Sequence, residues 1–279
     1  MNLRQIKRVR EIYKTFHDPS YLFLDPLGFV HGLKGRENIE IGSLVCSALA
    51  YGRVEQIRKS IDDIFKVTGK DIILFCARVP FAEKKRAFSG FKHRFNSGSD
   101  IATVLECAAQ AIDSFGSIEG LFASGFNDSH KSIKQALDSF VRFMRETGKR
   151  ICMSGSETFA FLFPAPSDGS TCKRLNMFLR WMIRPDDGID LGLWNRIGTE
   201  KLIMPVDTHV AAVASGLGMT KRKTIDWVMA EEITAALKSC DPDDPVRFDF
   251  SLCRSGMIDF RSMSVPGNGP FMCKISTWA

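Results

Sequence analysis

Apolar residues in this chain recur at the spacing of an α-helix along most of its length, and that period constrains the fold more than any other feature. In MNLRQIKRVREIYKTF (1–16), Leu3, Ile6, Val9, Ile12, Tyr13 and Phe16 fall on one helix face. Runs that alternate β-branched with polar residues are scarce, so the pattern implies an all-α protein. Helices are expected at about 3–16, 40–50, 53–68, 70–78, 100–115, 132–147, 156–163, 171–184, 190–197, 207–216, 223–239 and 244–258. Breakers fall between them: Asp25-Pro26, Pro80, Ser97-Gly98-Ser99 ahead of Asp100, Pro164 and Pro166, and Asp241-Pro242. The tail 261–279, rich in Gly, Pro and Ser, reads as a loop.

Composition narrows the class. A chain of 279 residues, 44% hydrophobic and 25% charged, can bury the core of one large domain or two smaller lobes. No apolar run approaches the ~20 residues of a membrane span. The basic N-terminus lacks the apolar core of a signal peptide and reads as a folded amphipathic helix. Eight cysteines stand in apolar surroundings such as LVCSALA and LFCARV, with no CxxC pair. That is the usage of reduced, buried thiols in a cytoplasmic protein. The net charge of +6 permits a polyanionic partner without requiring one. PFAEKKRAFSGFKHRFNSG (80–98) interleaves five Lys/Arg and His93 with Phe81, Phe88, Phe91 and Phe95. Such a mixture can stack bases and hold phosphates. The plainer reading is a loop anchored by its aromatics, with its charges in water.

Two short stretches carry chemistry. In PAPSDGSTCKRLNMFLRWM, Pro164 and Pro166 forbid helix, and the small residues that follow are turn and N-cap formers. A helix is expected to start near Thr171 or Cys172, with Lys173 in its first turn. Acidic residues suit that position better, because free backbone N–H groups and the positive end of the dipole gather there. A cationic helix start behind a small-residue turn suits a phosphate. The same surroundings are expected to lower the amine's pKa and make it nucleophilic. In IMPVDTHVAAVASGLG, Asp207 is a natural N-cap for the next helix. Capping alone would account for it, with His209 a surface residue.

Together the two stretches resemble the helix-hairpin-helix, endonuclease III-like DNA glycosylase superfamily. Its lysine stands in K-x-x-N-x-x-L, here Lys173 to Leu179 with Asn176 between, and its aspartate in V-D-T-H, here Val206 to His209. LVCSALAYGRVEQIRKSI (44–61) looks like the superfamily's early helix–turn–helix. There are departures. Ser167-Asp168-Gly169-Ser170 replaces the hairpin Gly-x-Gly, and no four-cysteine iron–sulfur loop follows. The longer stretch between Lys173 and Asp207 is more like the archaeal 8-oxoguanine glycosylase branch. KRLNMFLRWM and DPDDPVRFDFSLCRSG are most similar to a conserved bacterial family attached to this superfamily.

The resemblance implies two helical lobes, a barrel at 40–199 and a second lobe of 1–39 plus 200–279, with the site in the cleft between them. It implies a monomer that needs no cofactor or metal and acts on double-stranded DNA with a flipped damaged base. Lys173 would be the Schiff-base nucleophile and Asp207 its carboxylate partner. DNA contacts would come from Tyr51, Arg53, Gln56, Gly169, Ser170, Arg174 and His209. Met177, Phe178 and Asp249 would line the base pocket, and the damaged purine would be 8-oxoguanine. Two other readings remain open: a non-catalytic nucleic-acid-binding protein on this scaffold, and a metal-dependent phosphohydrolase using Asp207, His209 and the acids of 241–249. Asp241-Pro242 and Asp244-Pro245, however, read as helix-stop and helix-start chemistry. Trp181 and Trp194 read as core.

Overall fold

The computed structural model describes residues 1–152 and 157–257 of the chain. It is 66% helix and 2% strand, so the class is all-α. In chain order the helices and strands are α1 (Leu3–Phe16), α2 (Leu27–Val30), α3 (Arg36–Ala48), α4 (Val54–Thr68), α5 (Ile72–Arg78), α6 (Phe81–Ala87), β1 (Lys92–His93), β2 (Asn96–Ser97), α7 (Gly98–Phe115), α8 (Ile118–Ser124) and α9 (Lys134–Cys152). They continue as α10 (Glu157–Leu162), α11 (Lys173–Ile183), α12 (Thr208–Gly216), α13 (Trp227–Leu237) and α14 (Asp249–Met257). The expected loop at 261–279, and Cys273 with it, lies outside the described residues.

Polar side chains fix the helix ends. The Asn2 side chain accepts from Gln5 N at 2.9 Å, while the Gln5 side chain accepts from Asn2 N at 2.7 Å, so two orphan donors of α1 are satisfied reciprocally. Helix α3 is buried from Glu40 to Ala48 and packs against α2, α5, α7, α8 and α11. Its Glu40 accepts from Ile118 N (2.8 Å) and from Trp194 Nε1 (2.7 Å), thereby capping α8 from inside the core. The N-terminal helix α1 returns to pack on α14, which also carries α12.

Helices α2 and α8 have no counterpart among the expected helices, and three further segments differ from expectation. Residues 190–197 form no helix, because Leu191 N and Trp194 N donate to Trp181 O and Met182 O, each at 2.8 Å, and close the C-terminal end of α11. Residues 80–98 are not a loop but α6 followed by a two-stranded hairpin. Lys84 and Phe88, four apart, are both buried and pin α6 to the core. The expected helix at 244–258 begins as a 3₁₀ turn, Pro245–Phe248, before α14. Trp181 and Trp194 lie in the core, at 0% and 3% exposure. The seven described cysteines are free thiols. No helix among the described residues is long and apolar enough to cross a membrane.

Candidate active site

The turn that launches α11 is clamped on every side. Pro166–Asp168 makes one 3₁₀ turn, and Gly169 follows at φ +77°, a left-handed conformation suited to glycine. Asp168 Oδ2 accepts from Arg145 Nη2 (2.7 Å) and Ala165 N (3.3 Å), and Ser167 N donates to Asp138 Oδ1 (3.0 Å). Cys172, also left-handed at φ +49°, is the N-cap residue, and its N–H donates to Ser170 Oγ at 3.1 Å. Lys173 is therefore the first residue of α11.

The second approach is an extended, buried strand-like run, Leu202 to Val206, tied by Met204 N donating to Thr234 Oγ1 at 2.9 Å. It delivers Asp207 as the N-cap of α12. Asp207 Oδ1 accepts from His209 N at 3.0 Å and Val210 N at 2.9 Å. Oδ2 faces the other way and stands 3.6 Å from Lys173 Nζ, with the two side chains 25% (Lys173) and 22% (Asp207) exposed. Capping thus occupies one carboxylate oxygen and leaves the other for the amine.

Both groups line a cavity of about 420 Å³ that reaches from Asp25 and Tyr51 to Met177, Arg180, Asp249 and Cys253. Burial pulls the Lys173 pKa down, but Asp207, Cys253, Asp249 and Asp25 more than reverse it, so the ammonium is held above its ordinary value. The lowered pKa expected from the helix start is corrected: acids across the cavity outweigh desolvation. Burial pushes Asp249 up to about 6 against the downward pull of Arg180 and Lys173. Arg180 Nη1 donates to Asp249 Oδ2 at 2.5 Å, and Arg180 Nε to Asp190 Oδ1 at 3.0 Å. Burial also pushes the Cys253 thiol up to about 12, so it is a poor nucleophile at neutral pH.

Residues 25–258 match the family described as a protein of unknown function (DUF2400). The chain belongs to this family. No curated protein and no solved structure matches the chain. The matched span contains Lys173, Asp207, Asp249 and every other charged residue that lines the cavity, so the site belongs to the part of the chain shared with the DUF2400 family.

Of the residues singled out in the sequence, Tyr51, Lys173, Arg174, Met177, Asp207, His209 and Asp249 line this cavity. Ser170 lines a neighbouring depression that shares Lys173 and Arg174 with it. Arg53 and Gln56 are exposed at the start of α4, and Gln56 Nε2 donates to Ser60 Oγ at 3.1 Å. Gly169 is exposed on the turn. Two assignments are corrected. Phe178 points into the core, edge-on to Trp194 at 5.3 Å, and does not line the cavity. Arg174 is buried, with Nη1 donating to Ala48 O at 2.6 Å and Nη2 to Phe161 O, so its donors hold protein carbonyls rather than a phosphate. Three of the four acids of 241–249 are likewise occupied: Asp241 by Arg247 (2.8 Å), Asp244 by Arg184 (2.9 Å) and Asp249 by Arg180 (2.5 Å), while Asp243 is exposed.

Sequence reasoning missed Arg180, Cys253, Asp25 and Arg254. Arg180 lies two turns from Lys173 on α11, and Cys253 one turn from Asp249 on α14, so helical spacing could have found both. Asp25 and Arg254 pair at 2.8 Å across most of the chain length, which no local signal announces.

Proposed function

We propose that the protein is a DNA base-excision glycosylase with AP-lyase activity, acting on a damaged purine, with 8-oxoguanine the first substrate to try. The carrying observation is the 3.6 Å approach of Lys173 Nζ to Asp207 Oδ2 at a cavity whose volume, about 420 Å³, is in the range of small-molecule sites. Asp207 Oδ2 takes a proton from the Lys173 ammonium, and the freed amine attacks C1′ of the flipped nucleotide. The glycosidic bond breaks, and the departing base carries off its electron pair and gains a proton. Asp207 gives the proton it took to the departing base, and the carboxylate so restored offsets the positive charge on the sugar. The covalent adduct opens to a Schiff base between Lys173 and C1′. Loss of a C2′ proton then expels the 3′ phosphate, and water releases the lysine. Asp249, on the cavity wall, gives Oδ2 to Arg180 and keeps Oδ1 to accept from a purine N–H.

Borohydride reduction in the presence of duplex DNA carrying an abasic site or 8-oxoguanine tests this reading. The wild-type chain should be trapped covalently, and Lys173→Gln should bind the same duplex without forming the adduct. No adduct with the wild type would leave a non-catalytic nucleic-acid-binding protein as the surviving reading. An adduct with Lys173→Gln would assign the nucleophile elsewhere.

A further inference from the structure

The hairpin of β1 and β2 sets two exposed tip residues on a buried pair, His93 and Asn96. His93 pairs with Asn96, which leaves Arg94 and Phe95 as the two-residue tip. His93 and Asn96 are both 0% exposed. His93 Nδ1 meets Ser60 Oγ at 2.9 Å, and Nε2 meets Tyr51 O at 3.0 Å. Because a carbonyl only accepts, Nε2 carries the proton and Nδ1 accepts from the serine. Asn96 Nδ2 donates to Thr158 O at 2.7 Å and Asp100 Oδ2 at 3.2 Å, while its oxygen accepts from the Tyr51 hydroxyl. Arg94 has φ +56°, uncommon for a side-chain-bearing residue, so the tip is held in a turn that its own sequence does not favour.

That rigid base carries an apolar surface. Phe95 is 47% exposed and Phe161 42%, and their rings meet edge-on at 4.6 Å. Tyr51 completes the group, 5.7 Å from Phe95 and 5.1 Å from Phe161. The Arg174 guanidinium lies over Phe161 and Tyr51, at 4.5 and 5.0 Å. Tyr51 and Gly52 both line the Lys173 cavity, and a Cβ added to Gly52 would stand only 3.2 Å from Arg94 Cδ. Phe161 lines the neighbouring depression. The tip thus stands on the rim between the two hollows that share Lys173.

We infer that the Arg94–Phe95 tip is a nucleic-acid-stacking finger: Phe95 enters duplex DNA at an opened base pair and fills the gap, while Arg94 meets the backbone phosphate. This rests on the DNA reading proposed above. Every base has a π-face, so an aromatic ring on a cationic, pre-ordered support recognises the opening rather than the sequence. A structural hydrophobic patch would need neither the exposure of two rings nor an arginine at the strained position.

The test compares the affinity of the protein for a duplex carrying a tetrahydrofuran abasic analogue with that for the intact duplex, by fluorescence anisotropy. Phe95→Ala should reduce the preference for the abasic duplex by about tenfold, the size of one stacking contact, and Phe95→Trp should restore it. Arg94→Ala should weaken both duplexes alike. A wild-type preference that Phe95→Ala retains overturns the finger and leaves the glycosylase reading standing, as does a wild type that binds both duplexes equally. Failure of the wild type to bind either duplex overturns both.

Discussion

Asp207 shows how one side chain can serve structure and chemistry at once, since its two oxygens face different partners. Oδ1 caps α12 through His209 N and Val210 N, and Oδ2 faces Lys173. Asparagine caps a helix about as well as aspartate, whereas alanine forfeits about 1 kcal/mol. Asp207→Asn should therefore leave the unfolding free energy nearly unchanged and still lose most borohydride trapping. Asp207→Ala should lose both trapping and about 1 kcal/mol in urea unfolding. Trapping at the wild-type rate by Asp207→Asn would reduce this residue to a cap. The same duality explains why Asp207 alone was ambiguous in the sequence: V-D-T-H fits a cap without remainder, and only Lys173 across the gap gives the second oxygen a task. Arg174 erred in the other direction. Its place beside Lys173 suggests a phosphate, but its donors are taken by Ala48 O and Phe161 O, partners remote enough in sequence that no motif names them.

Helices were legible where an apolar stripe repeats, as in α1, α4 and α9, and illegible where a tertiary contact decides. Helix α6 is the clearest case. Its sequence FAEKKRA reads as a charged, solvated stretch, yet Lys84 is buried and its Nζ donates to Cys76 O at 2.8 Å and Glu106 Oε2 at 2.6 Å. Cys76 O, near the end of α5, would ordinarily accept from the residue four positions on, which is Pro80 and has no N–H. The ammonium takes that place. An asymmetry follows. Glu106→Ala strands a buried ammonium with a single carbonyl partner and should cost about 3 kcal/mol. Lys84→Met removes the charge along with the pair and should cost about 1 kcal/mol, for the orphaned carbonyl. Urea unfolding of the two variants checks this, and equal losses would mean that the pair is hydrated and contributes little. The missing helix at 190–197 has the same kind of cause. Its N–H groups are used to finish α11, and such a choice between local and long-range hydrogen bonds leaves no periodic trace in the sequence.

At the scale of the molecule, the family match begins at Asp25, so α1 lies outside the matched span, yet α1 packs on the helix that carries Asp249 and Cys253. Polar ties hold it there. Gln5 Nε2 donates to Leu217 O at 2.8 Å, Arg247 Nη2 to the Tyr13 hydroxyl at 3.2 Å, and His17 Nε2 meets Asp187 Oδ2 at 3.0 Å. Asp187 also pairs with Arg184 at 3.1 Å, so it clasps the end of α1 to the turn after α11. Burial would raise the Asp187 pKa, but the His17 bond, Arg184 and the Asp190 N–H together hold it well below the ordinary 3.8. A carboxylate with a depressed folded pKa binds protons more weakly folded than unfolded. Its stabilisation is complete above pH 3.8 and is lost as pH falls through the folded value. Because the side chain is 25% exposed, screening trims the contribution to about 1 kcal/mol. Asp187→Asn should therefore be less stable than the wild type by about that amount at pH 7, and the gap should narrow, without closing, by pH ~2, since the folded carboxyl titrates lower still. Denaturant unfolding at the two pH values measures it, and a gap that does not narrow in acid would assign the clasp to hydrogen bonding rather than charge. Asp187 does not line the Lys173 cavity, so trapping by the folded variant should match the wild type and separate the clasp that holds α1 from the chemistry that α14 faces.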